Sequence, residues 1–290
     1  MDYTLENKKL LLTFRSQGGE LTSIKSKKDD LEYLWKGDPE YWSYHSPVLF
    51  PTIGKVINNE YRHEGKTYPL KQHGFARLKE FEAEKSDSSI AFTLRYSEET
   101  LKIYPFKFAL TLTYTLKGNE IRVDYRVENL DDETIHFSIG GHPAFMCPLF
   151  PEESLEDYSI VFNKSGDIEL MTINSEGYFK RKKQHFGKDI DYIPLRLELF
   201  QEDALVFSEM KSSTIAIKSW DHDRGVTMDF SEFPYLGVWT KKEGAPFICL
   251  EPWQGHADYE DFTGELKDKE GSISLEKGKA FTIGYTLTID

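Results

Sequence analysis

Strict alternation of apolar and polar residues constrains this chain more than any other feature. Residues 108–116 read FALTLTYTL and residues 121–128 read IRVDYRVE, with Lys117, Gly118 and Asn119 between them. A period of two places every second side chain on one face of a strand. Two such runs joined by a short Gly/Asn loop predict a β-hairpin. Similar runs recur at 9–14, 90–96, 215–220, 226–230, 236–240, 247–250 and 280–289, separated by turn-forming clusters at 27–30, 86–89, 221–225 and 241–244. Helical periodicity is poor throughout. One- or two-turn helices are expected at 38–42 and 194–199, and nothing longer. Many short strands, polar turns and few helices predict an all-β fold, a large sandwich or barrel and not an α/β protein. No Pro/Gly/Ser-rich linker or low-complexity tract divides the 290 residues, so 1–290 reads as one domain.

Composition narrows the partners. Aromatic residues make up 14% of the chain, enough for a large core, and they favour the pleated surface of strands. With 36 Lys+Arg against 49 Asp+Glu, the formal net charge is -13. Such a molecule repels phosphate backbones and anionic membrane surfaces at long range, which argues against both as partners. A local basic pocket for a single phosphate stays open. Cys147 and Cys249 cannot form a disulfide framework, and neither sits in a CxxC or His-rich metal-ligand spacing. There is no transmembrane run, and residues 1–14 are too charged for a signal peptide. A soluble cytoplasmic protein is expected.

Three segments break the strand rules, and such breaks mark sites in otherwise regular β-proteins. Residues 46–58 (SPVLFPTIGKVIN) carry two prolines and a glycine in an apolar run, while 72–77 (QHGFAR) and 140–145 (GGHPAF) set a histidine beside glycine. In the last of these, two glycines would let the backbone pass close to a ligand, and Pro143 fixes the exit direction. His142 is thus held on a rigid corner, with a pKa suited to giving or taking a proton. Taken alone, it could equally satisfy backbone groups at a strand end. Residues 248–253 (ICLEPW) end an apolar strand in Glu251 beside a tryptophan, where desolvation would raise the carboxyl toward use as a base. A rim carboxylate paired with Lys or Arg is the plainer alternative. His73 and Arg77 could hydrogen-bond hydroxyls or face water, and Asp203 could accept from hydroxyls or cap a turn.

The ordered set SPVLFPTIG, QHGFAR, GGHPAF, FPYLGVW and ICLEPW resembles the aldose 1-epimerase family, most closely its LacX-like branch. The resemblance spans the chain from Trp35 to the final strand. It implies a galactose-mutarotase-like β-sandwich, a monomer or loose dimer, a small sugar as partner, and no metal or organic cofactor. It further implies that His142 protonates the ring oxygen and Glu251 takes the anomeric proton, so that the ring opens and recloses as the other anomer. His73 and Asp203 would bind sugar hydroxyls or the ring oxygen. Many relatives carry arginine where this chain has Lys55, a mobile point charge in place of a planar fork. Lys55 and Arg77 could together anchor a phosphate, so a hexose-6-phosphate epimerase is one alternative. A non-catalytic sugar-binding relative is another. A third is a two-carboxylate glycoside hydrolase, which needs Asp203 or Asp258 roughly 5–9.5 Å from Glu251.

Overall fold

The expected hairpin forms as strands Phe108–Lys117 and Glu120–Asn129 of a computed structural model describing residues 1–290. Leu110, Leu112, Tyr114 and Leu116 lie opposite Val127, Tyr125, Val123 and Ile121, and all eight are buried. The intervening Thr111, Thr113 and Thr115 face the other way with Arg126, Asp124 and Arg122. One sheet face is apolar and the other solvated, as the alternation requires. The C-terminal strand Ala280–Ile289 pairs along the free side of Glu120–Asn129. From there the sheet extends to 15 strands, and strand makes up 51% of the chain against 7% helix.

Two packings turn this sheet into layers. A separate three-stranded sheet, Asp2–Glu6, Leu10–Arg15 and Glu20–Ser26, lays Phe14 on Phe92 and Tyr114 at ring-centroid distances of 5.8 and 4.9 Å. Phe50 follows strand Val48–Leu49 at one end of the strand path, yet packs 5.1 Å from Phe108, near the other end. The large sheet therefore folds back on itself, and a continuous cluster of 62 buried residues fills the space between. Truncating an aromatic such as Phe108 to alanine would cost about 3–5 kcal/mol.

The expected strands form within one or two residues at their N-terminal ends, and 247–250 extends to Phe247–Gln254. Residues 38–42 are not a helix. The amides of Tyr41 and Trp42 donate to the Asp38 carbonyl, closing a single turn. The Trp42 carbonyl then accepts from the Trp35 indole, 2.8 Å away, which anchors the chain there and ends the turn. At 194–199 only a 3₁₀ turn forms, Leu197–Phe200. A one-turn helix at Glu98–Leu101, capped by Ser97, was not expected. The largest omission is a hairpin of two 16-residue strands, Tyr158–Ile173 and Phe179–Pro194. Residues 180–185 of its outer strand (KRKKQH) are all exposed, so no alternation marks them. No helix is long and apolar enough to cross a membrane.

Candidate active site

Strand Phe247–Gln254 pairs with Ile139–Gly141 and Ala144–Met146 on one side and with Tyr235–Trp239 on the other. Ile248 and Leu250 enter the main core, while Cys249, Glu251 and Trp253 share the opposite face. A carboxyl thus emerges from an otherwise apolar, buried strand. Across the pairing, Gly237 stands opposite Glu251. A Cβ there would lie 2.8 Å from the Trp253 ring and 3.3 Å from the Glu251 Cβ, so only glycine leaves both side chains room.

The glycine pair before His142 has a different use from the expected one. A Cβ on Gly140 would sit 2.7 Å from the Pro252 carbonyl oxygen, and one on Gly141 2.6 Å from the Tyr125 hydroxyl. The glycines admit the protein's own neighbours at close range, and Gly140 seats the strand Ile139–Gly141, which His142 follows, directly on that of Glu251. The result is a buried pair with Nε2 of His142 3.1 Å from Oε2 of Glu251. Trp42 stacks on the imidazole at 4.7 Å and 29°, and Trp239 meets it edge-on at 5.7 Å. Sequence reasoning assigned neither tryptophan a role. Trp239 lay inside the FPYLGVW motif, and Trp42 ended the segment taken for a helix.

Burial sets the charges. It lowers the His142 pKa to about 3, with the Arg77 cation adding to the effect. It raises that of Glu251 well above the usual carboxylate range, and the nearby Asp203 charge pushes the same way. Both shifts favour a net-neutral pair holding one proton between them.

His73 sits in the left-handed region at φ 64°. Its amide donates to the Gly54 carbonyl at 2.9 Å, and the Gly54 amide donates to its Nδ1 at 3.2 Å. With Nδ1 accepting, the ring proton belongs on Nε2. Burial, His142 and Arg77 together keep the ring neutral by lowering its pKa well below the usual value. The His73 and His142 rings stand 5.6 Å apart. Arg77 donates to the Gln72 carbonyl at 3.2 Å and lies 4.7 Å over the Tyr44 ring.

A cavity of about 480 Å³ unites His73, Arg77, His142, Asp203 and Glu251, together with Trp42, Tyr44 and Trp239. Asp203 accepts from its own Ala204 amide, and burial raises its carboxyl. Lys55 does not line this cavity. Its ammonium donates to the Glu176 carbonyl at 2.7 Å, in the turn of the long hairpin, whose Gly177 does line it. Asp258 also lies elsewhere, buried in an ion pair with Lys269 and accepting from the Ile57 amide at 2.9 Å. No local sequence spacing marks a metal-ligand set. The fold nevertheless brings donor atoms of His142, Cys249 and Glu251 within 4.8 Å of one another.

Comparison with known proteins places the chain in a family. The family model for aldose 1-epimerase matches residues 1–274. The chain is 36% identical to the chromosomally encoded protein LacX of Lactococcus lactis over 285 residues, 93% of each chain. The structure of a galactose mutarotase related enzyme from Lactobacillus acidophilus superposes with a TM-score of 0.95 at 35% identity, covering 100% of this chain and 97% of the other. A galactose mutarotase-like protein from Lactobacillus casei gives 0.94 at 33% identity, covering both chains fully. The chain therefore has the galactose-mutarotase-like fold and belongs to the aldose 1-epimerase family, in its LacX-like branch.

Proposed function

We propose that this protein interconverts the α and β anomers of a hexose by acid–base ring opening and reclosure. The observation that carries the reading is the buried His142–Glu251 pair, 3.1 Å apart on the wall of a cavity with two tryptophans around the imidazole. Ring opening needs one proton delivered to the ring oxygen and one removed from the anomeric hydroxyl. A net-neutral pair does both without changing its charge. The shifts rest the shared proton on Glu251. Its transfer to His142 within the pair gives the reactive form, in which the imidazolium donates to the ring oxygen while the Glu251 carboxylate accepts the proton of the anomeric hydroxyl. The pair then stands with a neutral imidazole and a protonated carboxyl. Rotation about the C1–C2 bond and the reverse transfers close the other anomer. Nothing is consumed, and both proton states of the pair are used in each turnover.

The remaining groups suit binding. His73 offers Nε2–H to the ring oxygen or a neighbouring hydroxyl. Asp203 keeps an acceptor for hydroxyls, and the faces of Trp42 and Trp239 suit the apolar face of a sugar ring. A neutral sugar is favoured over a 6-phosphate because Lys55 is engaged with the Glu176 carbonyl and stands outside the cavity. The glycosidase reading loses Asp258 to Lys269 and keeps only Asp203, which shares the cavity with Glu251. A pure binding role leaves the proton-sharing pair without use. Polarimetry on single anomers of several hexoses tests the proposal. Catalysed approach to the equilibrium rotation is expected. Sugar binding with only the spontaneous rate would reduce the protein to a binder.

A further inference from the structure

The active-site pair has a third neighbour that ring opening does not use. Cys249 precedes Glu251 by two residues on the same strand face, and Ala144, its register partner, lies two residues beyond His142. Its thiol, the His142 imidazole and the Glu251 carboxyl present an S, an N and an O within 4.8 Å of one another, and all three residues are buried. Nδ1 of His142 has no hydrogen-bond partner, and Oε2 of Glu251 meets the His142 Nε2 at 3.1 Å without hydrogen-bond alignment. We propose that His142, Cys249 and Glu251 form a binding site for a thiophilic divalent cation such as zinc, occupied in competition with the sugar.

The chemistry fits such an ion. Tetrahedral zinc with one sulfur ligand holds its donors about 3.3–3.6 Å apart. The His142–Glu251 separation is 3.1 Å, so a small spread of that pair and a modest closure of the sulfur complete three sides. The fourth position faces the cavity that His142 and Glu251 line. A thiolate and an imidazole select zinc or cadmium over magnesium and calcium, whose preferred ligands are oxygens. Cys249 gives up its proton to solvent on binding, as a ligating thiol must. Cys249 and Glu251 are fixed by strand pairing, and His142 sits between the paired strands Ile139–Gly141 and Ala144–Met146, so little ordering remains to be done. A second cluster, His63, Glu64 and Glu133, lies at the surface with both glutamates exposed, and offers no sulfur.

The competition rests on the acid–base reading, because the metal would hold the imidazole and carboxyl that ring opening needs. The binding does not rest on it. Cobalt(II) titration of the metal-free protein should therefore develop a thiolate-to-cobalt charge-transfer band at one equivalent, displaced by zinc. Cys249→Ala should abolish the band and weaken zinc, followed calorimetrically, by at least the roughly 10–100-fold that loss of a mere supporting group costs. Cys147→Ala, at a buried cysteine within the main core, should leave both unchanged and so controls for packing damage. In the mutarotation assay zinc should raise the apparent KM for sugar, with Cys249→Ala active but resistant. A wild-type protein without the band, or zinc affinity equal in wild type and Cys249→Ala, overturns the site. A band in a protein that catalyses no mutarotation keeps the site and removes the proposed activity instead.

Discussion

The two walls of the cavity are built by different means. One comes from the sheet: Glu251 lies within a strand paired on both edges, and His142 follows directly on one of those neighbours. The other comes from loops and the turn of the long hairpin, where Arg77 and Asp203 each make a single side-chain hydrogen bond to local backbone, and Lys55 braces the hairpin turn from outside the cavity. Strand pairing fixes a side chain through many cooperative contacts, and a lone bond at a solvated edge fixes it weakly. The sheet wall is thus suited to chemistry that needs ångström precision, and the loop wall to recognition that can vary.

Substitutions can break or sharpen this contrast. On the sheet wall, Glu251→Gln should lower kcat by about 10²–10⁴-fold, the worth of one positioned proton-transfer group. Calorimetric affinity for the sugar should change little, because the amide keeps the shape. His142→Asn should fall in the same range. His73→Asn should lose only roughly threefold to tenfold, as for one neutral hydrogen bond. Equal losses at the two histidines would mean that the imidazoles share the acid role.

Asp203 joins the two walls, because its charge helps to hold the Glu251 carboxyl up. Removing that charge lets Glu251 ionise at lower pH, and the pair then loses its proton sooner. In Asp203→Asn the alkaline limb of the kcat/KM profile should shift to lower pH. The acid limb belongs to uptake of a second proton near His142, whose pKa is about 3, and should stay. An unmoved alkaline limb would separate Asp203 from the pair. The smallest effect is expected at Lys55→Met, where only the bond to the Glu176 carbonyl is lost. KM should change by about twofold to threefold with kcat constant. A preference for hexose 6-phosphate that vanishes in this variant would turn the loop wall into a phosphate site.

The same division explains what could be read from the sequence. The hairpin over Phe108–Asn129 was legible because one face is buried and the other wet, so periodicity records its environment residue by residue. The hairpin strand Phe179–Pro194 was hidden because solvent reaches most of its length, and neither face demands apolar residues. Glu251 was legible as a carboxylate breaking an apolar run, and His142 as a histidine on a glycine–proline corner. The purpose of Gly140 and Gly141 was not, since their close neighbours Pro252 and Tyr125 come from distant segments. Cys249 escaped for the same reason: a ligand set assembled by sheet register leaves no local spacing. Trp42 became visible only when the turn at 38–42 was seen to carry it onto His142.

The central claim is that His142 and Glu251 act as one unit sharing one proton. Polarimetric rates for the wild type, Glu251→Gln, His142→Asn and the double variant test it directly. Groups that act as a unit are non-additive, so the double variant should be no slower than the slower single one. Losses that multiply in the double variant would show two independent contributions and contradict the shared-proton pair.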